Sequence, residues 1–164
     1  MSLRFDLRQL DSKLWSNDEV LFQPLKTEED LVYATYDCQL SEKQKDMVNP
    51  AWFSIGRAYL HPKDNYPCVI CKKSGEPIGF INLSKWLGNG EAYTWSFFID
   101  QRYQGKGLGR SAAQLAVDIL TAANPNMCIK LAAEKNNEKA QRLYISLGSR
   151  ELPELDGDDL VFGL

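Results

Sequence analysis

Glycine stands at every second position of Gln104-Gly105-Lys106-Gly107-Leu108-Gly109-Arg110. Just upstream lies the β-prone run Phe97-Phe98-Ile99, and downstream Leu108, Ala112, Leu115, Ala116, Ile119, Leu120 and Ala123 fall on one helical stripe. A strand, a glycine loop and a helix in that order aim consecutive main-chain N–H groups and the positive end of a helix dipole at one point. Glycine suits the loop because a phosphate must approach the main chain without a Cβ in the way. Lys106 and Arg110 add mobile positive charge. The segment reads as an anion cradle. Its spacing is not that of a dinucleotide fingerprint, since residue 110 is Arg, and no Gly-Lys-Ser/Thr follows as in a nucleotide-triphosphate loop.

A second segment carries groups able to do chemistry. In Asn137-Glu138-Lys139-Ala140-Gln141-Arg142-Leu143-Tyr144, followed by Leu147-Gly148, the apolar positions mark one face of a helix that Gly148 closes. Asn137 is a good N-cap, and Tyr144 lies on the apolar stripe, so both have structural as well as chemical uses. Glu138 and Lys139 read as solvated first-turn residues.

Taken together, the two segments resemble motif A (Q/R-x-x-G-x-G/A) and the later N-x-x-A-x-x-L-Y-x-x-x-G segment of the GNAT superfamily of acetyl-CoA-dependent N-acetyltransferases. The resemblance by motif covers residues 97–148. It implies that the main chain of Gln104, Gly105, Lys106, Gly107, Leu108, Gly109 and Arg110 binds the pyrophosphate of the co-substrate acetyl-CoA. The strand at Phe97, Phe98 and Ile99 would bulge and hydrogen-bond the pantetheine. Asn137 would touch the cofactor arm, and Tyr144 would stand near the sulfur as general acid. No metal is implied.

Two departures from the family pattern stand out. Some members carry an acidic residue inside the fourth strand, whereas Ala92 to Phe98 contains none, and Glu91 is the nearest candidate base. Ser149 follows the glycine where the family usually has Phe.

The elements that must position these groups follow from pattern. Val20 to Gln23 reads as a strand ended by Pro24, and Thr27-Glu28-Glu29-Asp30 as a capped helix start. Ser41-Glu42-Lys43-Gln44 has the form of a capping box, and Asn49-Pro50 interrupts the helical region. His61 to Pro67 is a loop by composition. Cys68–Lys72 and Ile78–Leu83 form a hairpin, Gly88-Asn89-Gly90 breaks the chain, and Ala92–Ile99 follows as a strand. Ile129–Ala133 is the next strand, and a last hairpin turns at Asp156-Gly157. Leu3, Phe5 and Leu7 alternate with charges as a short edge strand does. Cys68 and Cys71 would point to opposite faces of a strand, which suits buried structural thiols better than a redox or zinc pair. The expected fold is α/β (α+β): one domain over 19–164 behind a short extension, 1–18. Its mixed sheet is flanked by helices, and the resemblance implies that it is mostly antiparallel and splayed between the fourth and fifth strands.

Composition bounds the partners. With 164 residues the chain is about one domain long. Its net charge of −3 gives no global basic field for nucleic acid and suits a cationic acceptor. No apolar run is long enough to span a bilayer, no export signal is visible, and the expected location is the cytoplasm. A homodimer is compatible with these features. The expected activity is acetyl transfer from acetyl-CoA to a primary amine of a small molecule, a polyamine being one such acceptor. Acetylation of a protein N-terminus or lysine, and a non-catalytic acyl-CoA sensor on the same fold, are the competing readings.

Overall fold

The computed structural model of the chain describes residues 2–86, 88 and 90–164, so the expected break at Gly88-Asn89-Gly90 falls partly outside the described residues. Its first sheet has the order β1 (Val20–Pro24), β2 (Asn65–Lys72), β3 (Pro77–Lys85) and β4 (Tyr93–Ile99), each neighbouring pair antiparallel. A second antiparallel sheet has the order β5 (Lys130–Ala133), β7 (Asp159–Gly163), β6 (Arg150–Asp156). The two meet at one parallel bridge, Tyr93 with Ile129, where the Tyr93 N–H donates to the Cys128 carbonyl at 2.8 Å. Beyond that bridge no ladder joins β4 to β5 among the described residues. The sheet is therefore mixed and open between its fourth and fifth strands, as expected.

Helices cover both faces. One face of β1–β4 packs on the apolar stripe of α5 (Leu108–Ala123), with Ala112, Leu115, Ala116 and Ile119 buried beside Val20, Ile70, Ile81 and Leu83. The other packs, through stacked Phe80 and Phe98 at 5.6 Å, on the segment holding α2 (Glu28–Val32), a π-helical turn at Tyr33–Asp37, α3 (Glu42–Lys45) and α4 (Ala51–Leu60). Double cover explains why β2 and β3 read as nearly continuous apolar runs. Thr27 caps α2 in a reciprocal capping box with Asp30. The helix α6 (Glu138–Ser146) ends on Gly148 at φ +95°, where the Ser149 N–H reaches the Tyr144 carbonyl and the Gly148 N–H reaches Ile145. Only a residue at ease in the left-handed region closes a helix this way.

Two expectations are corrected. Leu3, Phe5 and Leu7 do not form a strand: α1 spans Leu3–Arg8, with Ser2 accepting a hydrogen bond from the Phe5 N–H. A spacing of four satisfies both periods, so Leu3 and Leu7 are buried either way; Phe5, 61% exposed, shows that the helical period won. The strand after the His61 loop starts at Asn65 rather than Cys68. Pro67 fits inside it because its carbonyl accepts from the Leu25 N–H just past the end of β1, so its missing N–H faces a position with no strand beside it. Cys68 and Cys71 are both buried and free, in separate apolar clusters; burial pushes both thiols up, Cys71 to about 11.

Candidate active site

The opening between β4 and β5 is lined by main chain. In an antiparallel strand each residue aims its N–H and C=O to one side, and neighbours alternate. The Asp100 N–H donates to Ile78 of β3, while the Tyr93 N–H points the other way to Cys128. Trp95, Phe97 and Ile99 therefore direct their main chains into the opening, and Phe98 is committed to β3 opposite Phe80. The β3–β4 register runs unbroken from Tyr93 to Ile99, so the bulge expected at 97–99 does not occur in that ladder. Gly79 is what permits this close pairing, since a Cβ there would strike the Phe98 carbonyl.

At the end of β4 the chain turns into the glycine loop. Gly105 and Gly107 hold φ of +77° and +79°, and Gly107 is the N-cap of α5. Nothing lies within 4 Å of where their Cβ atoms would be, so the loop faces open space with its main chain bare. Gly109 has another use: a Cβ there would sit 3.7 Å from Ile99, in contact between helix and strand. Lys106 lies over the Tyr103 ring at 5.8 Å. Arg110 reaches away from the loop, donating to the Ser146 carbonyl at the end of α6 at 3.2 Å.

A buried charge holds this loop. Asp100, wholly buried, accepts from the Arg102 N–H and Nε at 3.0 Å, from Arg102 Nη2 at 2.6 Å and from the Gln39 N–H at 3.3 Å. Burial opposes its ionisation, but these hydrogen bonds and the guanidinium outweigh it and hold the carboxyl below its usual range. The Gln101 N–H returns a bond to the Gln39 carbonyl at 2.8 Å. The Gln104 amide donates to the Ile99 carbonyl at 2.7 Å and to Gln44 Oε1 at 2.8 Å, and Gln44 donates to the same carbonyl at 3.3 Å. Gln44 thus does not complete the capping box expected of it; Ser41 caps its N–H, but its side chain is drawn to β4 instead.

Across the opening stands Tyr144 of α6. Its ring packs edge-on to Phe162 at 5.8 Å, and its hydroxyl donates to the Ala132 carbonyl of β5 at 3.4 Å. Burial pushes the phenol up to about 12.

Residues 29–148 match the model of the acetyltransferase (GNAT) family. The chain belongs to that family. Among curated relatives, the spermine/spermidine N(1)-acetyltransferase of Bacillus subtilis (strain 168) is 40% identical over 68 residues, 42% of this chain and 45% of that protein. The thialysine N-epsilon-acetyltransferase of Bos taurus is 25% identical over 91 residues, 56% of this chain and 50% of that one. The chain thus spans about half the length of the curated relatives it matches. Among solved structures, an aminoglycoside acetyltransferase AAC(6')-Ib in complex with coenzyme A superposes with a TM-score of 0.66 at 20% identity, covering 88% of this chain and 92% of that one.

Within this GNAT domain the remaining site residues are distributed as follows. Asn137 caps α6, its Oδ1 accepting from the Ala140 N–H at 3.2 Å. Glu91 is exposed, just before β4, and β4 from Tyr93 to Ile99 is about 20 Å long. Sequence reading missed Gln39, Gln44, Asp100 and Arg102. The Asp100-x-Arg102 spacing was a usable signal, because an Asp that bonds the main chain two residues on is a turn-former. The buried indole N–H of Trp95 has no partner among the described residues.

Proposed function

We propose that the chain transfers the acetyl group of acetyl-CoA directly to a primary amine of a small cationic molecule of the polyamine kind. The observation that carries the reading is the continuity of donors from the bare glycine loop along the Phe97 and Ile99 main chain toward Tyr144. A pyrophosphate fits the loop: it offers consecutive N–H groups, a helix N-terminus and no Cβ within reach. When bound, acetyl-CoA supplies an activated acyl carbon and a sulfur leaving group. The polyamine class is supported by the similarity to the Bacillus subtilis spermine/spermidine N(1)-acetyltransferase and by the net charge of −3.

The chain's own groups then have distinct tasks. The free N–H groups of β4 orient the thioester and stabilise the developing oxyanion. The acceptor must lose a proton first, since a primary alkylammonium of pKa near 10.4 is free amine in about one molecule in 2,500 at pH 7, a cost of about 4–5 kcal/mol. Glu91, acting through water at the far end of β4, is the candidate base. Tyr144 stays protonated at pH 7 because burial holds its proton, and it donates toward the departing sulfur.

A thiol-release assay tests the reading across spermine, spermidine, aminoglycosides, amino acids and peptides. Release with the polyamines, reduced by about a hundredfold in Tyr144→Phe with unchanged acetyl-CoA affinity, is the expected result. Acetyl-CoA binding without release from any amine would overturn catalysis and leave a sensor. Release with peptides alone would overturn the small-molecule class.

A further inference from the structure

The first sheet has a second concave feature, at the edge away from the opening. A cavity of about 560 Å³ lies between α1, the turn at Ser12–Trp15 and the β1–β2 edge. Since β2, the nearer of its two strands, is two strands from β4, the cavity is about 10 Å or more from the acetyl-transfer site. Its volume falls in the range of small-molecule sites.

The lining sorts by chemistry. Phe22 and the rings of Trp15 and Tyr66, 5.4 Å apart and tilted by 38°, supply flat apolar surface. Arg4, Arg8 and Lys26 supply charge, and no Asp or Glu lines the cavity. That asymmetry stands against a chain with 22 acidic and 19 basic residues.

Part of the arrangement is already ordered. The Arg4 guanidinium lies 5.5 Å from the Tyr66 ring centroid and its Nε donates to the Asn65 carbonyl at 3.3 Å. Arg8 is close enough to the Tyr66 hydroxyl to act on it as a positive charge. Neighbouring carboxylates are engaged elsewhere: Asp11 accepts from the Lys13 N–H, and Asp30 accepts from the main chain of Lys26 and Thr27. Asp6 sits on the opposite face of α1 from Arg4 and Arg8 and acts on Tyr93. None of the three cations forms an ion pair among the described residues. Cations gathered around aromatic surface with no counter-charge of their own complement a ligand of opposite sign and similar flatness.

We propose that this cavity is a second ligand site, selective for an anionic group carried on a flat aromatic body. The ring packs against Trp15, and the anion is held by Arg4, Arg8 and Lys26. A nucleotide phosphate and an aromatic carboxylate share this chemistry. The polyamine acceptor, being cationic, is excluded from it.

The test uses the full chain saturated with coenzyme A, so that a nucleotide cannot enter the glycine loop. Adenosine monophosphate and indole-3-acetate are titrated in separate arms by calorimetry, with the Trp15 indole N–H followed by NMR. One-to-one binding of either, with a Kd of about 1 mM or tighter and a shift at Trp15, is expected, and the arm that binds names the head group. Arg8→Glu with Lys26→Glu, both at exposed positions, weakens it at least tenfold at unchanged Tm, whereas Lys13→Glu, the same kind of charge change outside the cavity, leaves it as it was. The proposal is overturned by binding in neither arm, by an affinity within twofold after the double charge reversal, or by inorganic phosphate binding equally well. The indole-3-acetate arm repeated without coenzyme A keeps this outcome separate from the acetyl-transfer reading.

Discussion

The two walls of the opening are held by opposite physics. The β4 wall is held by charge and directed bonds: a buried carboxylate gathers Arg102 and Gln39, while two glutamine amides converge on the Ile99 carbonyl. The β5–α6 wall is held by apolar burial, with Tyr144 against Phe162 and a single 3.4 Å hydrogen bond from its hydroxyl. The first kind of wall fixes main-chain direction to a fraction of an ångström, which a cradle of N–H groups needs. The second places one hydroxyl in a dry environment, which governs how firmly it keeps its proton. The difference teaches that positioning and proton affinity are assigned to different sides of one cleft.

The largest effect is expected where the β4 wall meets its ligand. Gly107→Glu puts a Cβ at φ +79° and a negative charge where the anion sits, so acetyl-CoA affinity falls by about a thousandfold, or about 4 kcal/mol. Calorimetry reads this directly, and retained affinity would mean that the loop is not the cradle. Next comes the buried carboxylate. Asp100→Ala strips the Gln39 and Arg102 N–H groups of their acceptor, whereas Arg102, its side chain 49% exposed, can turn to water. Denaturant unfolding should show a loss of about 2–3 kcal/mol together with a raised KM for acetyl-CoA. A loss of stability with no change in KM would show that the Asp100 network supports the fold without aligning the loop.

The walls should also fail at opposite ends of the pH scale. The Asp100 carboxyl is held below its ordinary value, so its contribution is present above the unfolded pKa of about 4 and is lost as pH falls below that. The Tyr144 phenol is held above its ordinary value, so the folded state keeps full stability below about pH 10 and loses it as pH rises from there toward about 12. A shift of that size corresponds to about 3 kcal/mol. Cys71, pushed up to about 11, begins the same loss a unit earlier. Unfolding followed from pH 8 to 12 should therefore show a decline that Tyr144→Phe reduces and Asp100→Asn leaves in place. An identical decline in Tyr144→Phe would assign it to the other groups that burial raises, the thiols and the phenols of Tyr33, Tyr66 and Tyr93.

How legible each wall was follows from the range of its contacts. Local signals spoke clearly: the glycine alternation, the stripe from Leu108 to Ala123, and the Asn137 and Gly148 ends of α6 each rest on contacts within a turn or two of chain. The family resemblance added the splayed sheet. What stayed hidden depends on contacts across many residues. Gln44 looked like half of a capping box, and only folding brings it to Ile99, 55 residues on. Asp100 stands just past the strand expected over Ala92–Ile99, although its Arg102 partner is close in sequence. At Leu3 and Leu7 the pattern was ambiguous in principle, because a four-residue spacing fits both a helix and a strand. The bulge at 97–99 was expected from the family, and Gly79 on the neighbouring strand lets this chain pair regularly there.

Glu91 gives the smallest effect and sharpens the comparison along β4 itself. At the Ile99 end the Ile99 carbonyl and the Asp100 carboxylate are engaged, whereas Glu91 is exposed before Tyr93, at the opposite end. A base there can relay a proton only through water, and water can also deliver the free amine by simple dissociation. Glu91→Gln should therefore lower kcat/KM for a polyamine by about threefold at pH 7, under 1 kcal/mol, well short of the hundredfold or more of a directly bonded base. The deficit should shrink as pH approaches the amine's own pKa near 10.4, because solvent then supplies the unprotonated acceptor without help. A pH–rate profile of the variant reads this. A constant deficit at all pH values would mean that the carboxylate attracts the cationic acceptor rather than taking its proton, and both roles would then belong to the end of β4 that the ionic network leaves free.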